Sequence, residues 1–157
     1  MEATRDTMSQ TFFEVLERLA FMFGDPCPVE GLETDSEQFL HATIAFEGPV
    51  CGTIGVAAPV GLCAEIASNI LGTDLDQDPF ATGEAPDAFK EILNVICGQF
   101  LTTRYGCQPV FHLSIPRVEK VGRADWEALL ERPETIGFLV EDAPAVVHLR
   151  VETSDDK

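Results

Sequence analysis

Four residues of one amphipathic segment carry the side chains best spaced to do chemistry. Asp87, Glu91, Asn94 and Gly98 lie four, three and four residues apart. At about 100° per residue they fall on one narrow stripe of an α-helix. Phe89, Ile92, Leu93, Ile96 and Phe100 spread over the opposite face. That face belongs in the core, which turns the polar stripe outward. A carboxylate can form an ion pair, and a carboxamide can donate one hydrogen bond while accepting another without acting as a base. Glu91 and Asn94 share one helix face, about one turn apart. A glycine inside a helix costs about 1 kcal/mol relative to alanine. On an outward stripe, Gly98 removes the side chain that would hold a partner's backbone at a distance. The same four residues also fit a solvated face, with Asp87 favourable at the positive helix end and Gly98 incidental.

Other candidates carry less. Asp74, Asp76 and Asp78 imitate the opening of a calcium loop, but Pro79 stands where glycine is needed and Ala85 where glutamate is needed. His41, His112 and His148 lie in apparent strands, far apart in sequence, and form no His/Cys/Asp cluster, so no metal site is expected. The five cysteines, Cys27, Cys51, Cys63, Cys97 and Cys107, are odd in number, irregularly spaced and without a CxxC pair. They read as buried or half-buried free thiols. Trp126 and Phe138 read as packing residues. GTIGVAAPVG lacks the lysine of a phosphate-binding loop.

The elements that must position the stripe follow from apolar periodicity. TFFEVLERLAFMF (11–23) predicts a first helix, followed by an acidic loop. FLHATIAFE and VCGTIGVAA predict two strands joined at Gly48-Pro49. Pro59 opens a second helix, closed by Gly72. Pro86 lies near the start of the third helix, which ends near Gly106. Strands are predicted over Pro109–Ile115, Thr135–Val140 and Ala145–Glu152. ADWEALLE is a short helix or an irregular crossover. The fold class is α+β with a largely antiparallel sheet. At 157 residues the chain is read as a single domain, 1–157, with 153–157 a frayed tail.

Composition removes whole classes of function. Asp and Glu number 27 against 10 Lys and Arg, a formal charge of −17. Without a basic cluster the chain cannot neutralise phosphates, so no nucleic-acid partner is expected. Anionic membrane surfaces would repel it. The longest uncharged run, Gly48–Ala64, is too broken by glycine and proline to insert in a membrane. The N-terminal MEATRDTMSQ has no apolar signal core. A cytoplasmic location is expected.

An internal duplication is also suggested. Setting FFEVLERLAFMF on FKEILNVICGQF pairs Phe12 with Phe89, Glu14 with Glu91, Leu16 with Leu93 and Phe23 with Phe100. Glu17 then falls where the second helix has Asn94.

ASNILGTDLDQD, EAPDAFKEILNVICGQF and LSIPRVEKVG together resemble the CheC/CheX/FliY family of chemotaxis phosphatases, CheX most closely. The family motif is Asp or Ser, three residues, Glu, two residues, Asn, then a proline opening a later loop. Asp87, Glu91, Asn94 and Pro116 match it, with Pro116 one residue closer to Asn94 than is usual.

The resemblance implies a CheC-like fold, two αββ-type repeats sharing one sheet. It implies binding to the phosphorylated receiver domain of a CheY-like response regulator and hydrolysis of its aspartyl phosphate. Asn94 would position the attacking water, and Glu91 would pair with the receiver's lysine. Asp87, Gly98 and Pro116 would contact the receiver. Mg²⁺ would be held by the receiver, with no cofactor on this chain. The resemblance further implies a homodimer through sheet edges. With Glu17 in place of the amide, one active site per chain is expected. A non-catalytic adaptor of the same fold is the alternative.

Overall fold

The computed structural model describes residues 2–71 and 84–153. Helix α1 (Glu2–Ala20) buries Met8, Phe12, Val15 and Leu16. It begins well before the predicted Thr11, because the polar first turns carry good helix formers and Met8 anchors them in the core. It also stops short of the predicted Phe23. Phe21 adopts φ 55°, the left-handed conformation that commonly ends helices. Met22 still turns inward, whereas Phe21 and Phe23 are 72% and 62% exposed. Phe23 continues the apolar period without joining the core.

The chain then runs through β1 (Gly24–Pro26), a 3₁₀ turn at Val29–Gly31, β2 (Gln38–Glu47), β3 (Val50–Pro59) and α2 (Val60–Leu71). After the undescribed interval come α3 (Glu84–Tyr105), β4 (His112–Leu113), β5 (Arg117–Gly122), α4 (Arg123–Leu130), β6 (Thr135–Val140) and β7 (Ala143–Thr153). The calcium-like residues Asp74, Asp76 and Asp78, and the tail beyond Thr153, lie outside the described residues.

The seven strands form one sheet in the order β1-β6-β7-β3-β2-β4, with β5 pairing the same edge of β2 further along. Every pairing is antiparallel. The order carries an internal symmetry. α1 leads to the β2–β3 hairpin and α3 leads to the β6–β7 hairpin, and the hairpins meet at β3–β7. The short strand after α1 pairs with β6, and the strand after α3 pairs with β2. The two αββ repeats thus each lend an edge strand to the other.

Strand parity divides the residues between two faces. Leu40, Ile44, Ile54, Val56, Phe138 and Val147 point to the face covered by α1, α2 and α3. Phe39, Ala57 and Val146 point the other way, under α4 and the 3₁₀ turn, where Trp126 stacks on Phe39 with ring centroids 4.5 Å apart. Trp126 and Phe138 are both core residues.

Two strands depart from the predicted pattern. Pro109–Ile115 yields only the short β4, and the longer partner of β2 is Arg117–Gly122. β5 is an edge strand with Arg117, Glu119 and Lys120 exposed. It is held by its ladder with β2 more than by burial, and charges along an edge oppose unwanted strand pairing. All five cysteines are free. Cys107 is exposed, against expectation, because it follows the helix end at Gly106.

Candidate functional site

Helix α3 sets the geometry of the stripe. Ala88, Phe89, Ile92, Leu93, Ile96, Cys97, Phe100 and Leu101 are all buried. Each large apolar side chain contributes roughly 1.5–3 kcal/mol by leaving water, so the face easily outweighs the ~1 kcal/mol penalty of Gly98. Gly106, at φ 86°, ends the helix and its N–H bonds to the Thr102 carbonyl at 2.9 Å. Asp87, Glu91 and Asn94 are exposed on the opposite face. A Cβ added at Gly98 would meet nothing within 4 Å. Burial pushes the Cys97 thiol up to about 12, which leaves it protonated and unreactive.

The fifth predicted residue, Pro116, sits elsewhere in the chain. It is half-buried and immediately precedes β5, where a proline leaves the following ladder intact. β5 packs against α3, which brings this connection to the helix. Ile115 beside it is 84% exposed and Val110 is 72% exposed. Between the last turns of α3 and the segment that leads into β4 lies a hollow of about 270 Å³, lined by Gly98, Leu101, Thr102, Phe111 and Leu113 among others. The stripe therefore ends at a hollow of mixed polarity that Gly98 helps to keep open.

The counterpart face of α1 is used differently. Gln99 Nε2 donates to Glu14 Oε2 at 2.8 Å, and Arg18 donates to the carbonyl oxygen of the same amide. Glu14 is thus tied to the helix–helix contact. Glu17 is exposed and stands where α3 has Asn94.

The structure also joins two residues that the sequence kept apart. His41 on β2 and His148 on β7 bring their Nε2 atoms to 2.8 Å across β3. Gly55 of β3 is register partner to His148, and a Cβ there would fall 2.0 Å from its Nε2. The missing side chain lets the imidazole cross the strand. A hydrogen bond between two such nitrogens needs one N–H donor and one bare acceptor, so the accepting ring is neutral. Burial lowers the pKa of His41. Burial, then the neighbouring His41, lowers His148 to about 4. The signal in the sequence was Gly55 inside a strand, which marks a close approach. Naming the two rings required the strand order. Among the described residues no group of three or more His, Cys, Asp or Glu could hold a metal ion. No described helix is long and apolar enough to cross a membrane.

The fold has solved relatives. CheX from Desulfovibrio desulfuricans superposes with a TM-score of 0.70 at 16% identity, over 96% of this chain and 99% of that one. CheX from Vibrio vulnificus gives 0.69 at 18% identity, over 95% and 96%. The CheX chain of a CheX–CheY–BeF₃–Mg²⁺ complex from Borrelia burgdorferi gives 0.66 at 16% identity, over 94% and 96%. At these identities the likeness concerns the fold. A search of curated proteins finds no match to the sequence. The model of the family described as "Chemotaxis phosphatase CheX" matches residues 40–129, a span that contains most of β2, all of β3 and the whole α3 stripe, and the chain belongs to that family.

Proposed function

We propose that the chain binds the phosphorylated receiver domain of a CheY-like response regulator and accelerates hydrolysis of its aspartyl phosphate. The observation that carries this reading is the acid–amide pair Glu91 and Asn94, outward on a helix whose other face is buried. Membership of the CheX family, and a fold relative that is in complex with CheY, BeF₃ and Mg²⁺, support the choice of partner.

An acyl phosphate is already activated. In-line attack by water needs positioning and charge stabilisation more than it needs a base. Asn94 accepts from the attacking water through its carbonyl and donates through its NH₂ to a phosphoryl oxygen. The water oxygen bonds to phosphorus as the bond to the aspartyl oxygen breaks, releasing inorganic phosphate and a free carboxylate. Glu91 pairs with the receiver's lysine, an ion pair that strengthens as the interface excludes water. Asp87, Gly98 and Pro116 contact the receiver around the pair. Mg²⁺ is the receiver's own. α1 offers no second site, because Glu17 would set a carboxylate against the phosphoryl group and Glu14 is engaged by Gln99. The open sheet edges at β1 and at β4–β5 suit a homodimer joined through strands.

The test is the decay of a phosphorylated CheY-like receiver with Mg²⁺ and catalytic amounts of this protein. Faster decay than without it supports the reading. Binding without faster decay would make the chain an adaptor.

Gly98 gives a second check. Because an added Cβ meets no atom of this chain, Gly98→Ala should stabilise α3 by up to about 1 kcal/mol. Any loss of receiver affinity then comes from the partner's approach. Chemical denaturation is expected to show the gain and calorimetric titration a weaker complex. Unchanged affinity would remove Gly98 from the contact surface.

A further inference from the structure

We infer that the cavity between the start of α1, the end of α3 and the β3–β7–β6 end of the sheet binds a small amphipathic anion, an aliphatic or aromatic carboxylate. Its volume is about 520 Å³, inside the range of small-molecule sites. The floor is apolar, from Ile136, Leu149, Val151 and Tyr105, and the rim carries Arg5 and Arg104.

Both guanidinium groups are held in place from one side. Arg5 Nη1 donates to the Pro133 carbonyl at 3.4 Å. Arg104 Nε donates to Thr4 Oγ1 at 3.2 Å, and its guanidinium carbon lies 5.4 Å from the centre of the Tyr105 ring. Each guanidinium has five N–H donors, so most remain for a ligand. Among the described residues neither arginine forms an ion pair. One carboxylate, Glu134, also lines the cavity, and it is paired with Arg150 at 3.8 Å.

Charge and shape select the ligand together. The chain carries −17 with only ten cationic side chains, so its surface at large repels anions. Two arginines with no ion pair among the described residues, above an apolar floor, reverse that locally. An ammonium head would be repelled. A neutral amphiphile would cover the guanidinium groups without pairing them, which is unfavourable. A carboxylate bridges them with charge-assisted hydrogen bonds while its tail fills the floor. Glu91 and Asn94 do not line this cavity, and Arg104 lies about 15 Å further along α3 than Asn94.

The test is a nuclear magnetic resonance titration of the full chain with octanoate, 1-octanol and octylammonium. Octanoate should shift the amides of Tyr105, Ile136 and Val151 saturably, and bind at least about tenfold more tightly than the other two. In the Arg5→Gln/Arg104→Gln double variant, octanoate should lose that advantage while octanol binding stays as it was. Equal affinity for all three amphiphiles, shifts confined to other surfaces, or no saturable binding of octanoate would each overturn the inference. An unchanged amide spectrum away from the cavity establishes that the double variant is folded.

Discussion

Asn94→Ala should reduce the acceleration of receiver dephosphorylation by on the order of 10²–10³-fold, the usual effect of removing one preorganised hydrogen-bonding group from a transition state. Binding to the phosphorylated receiver should stay close to wild type, because water positioning is realised mainly in the transition state. The substitution is structurally mild. Asn94 is exposed, the buried face of α3 is untouched, and alanine is the better helix former. Asn94→Asp separates shape from charge. It keeps the outline of the amide but sets a carboxylate against the phosphoryl oxygens. It should be as inactive as the alanine variant and should weaken binding to the phosphorylated receiver more than to the unphosphorylated one. Glu91→Ala should lower affinity as well as rate, since its ion pair forms in the bound complex before reaction. Receiver decay with Mg²⁺ present, alongside calorimetric binding, separates these patterns. Full acceleration by Asn94→Ala would take the amide out of the chemistry.

The α3 stripe was legible in the sequence because helical period and apolar content agree there. Eight buried residues on one face leave Asp87, Glu91 and Asn94 nowhere to point but outward. The β6 bounds were legible for a similar reason, since a buried apolar run ends at turn residues. β1 and β5 were not. Gly24–Pro26 contains two residues that normally break strands, and Arg117–Gly122 carries charges along an edge. Both are fixed by backbone ladders to strands distant in the chain, which no local period records. The same holds for the His41–His148 contact and for the cavity rimmed by Arg5 and Arg104. Each joins residues roughly a hundred positions apart, so neither could be read before the sheet order was known.

That histidine pair makes acid the expected weak point of the fold. The folded pKa of His148 is about 4, against an ordinary value of 6.5. Below pH 6.5 the unfolded chain gains a proton that the folded chain excludes, so stability falls as pH falls. The loss should reach about 2 kcal/mol between pH 7.5 and 5, and about 3 kcal/mol once pH passes below the folded value. His41 adds in the same direction, because burial lowers its pKa too. Arg132 and Arg150 reinforce the effect, whereas Glu119 and Asp125 oppose it at His41. Protonation of the accepting ring also ends the donor–acceptor match across β3, leaving two N–H groups face to face above Gly55. Urea unfolding of wild type and His148→Gln at pH 7.5, 6 and 5 measures this. Carboxylates titrate in both proteins, so the difference in slope isolates the imidazole. The variant should be less stable at pH 7.5 yet lose much less on acidification. Parallel slopes would mean that the His41–His148 contact does not control the acid sensitivity of the sheet.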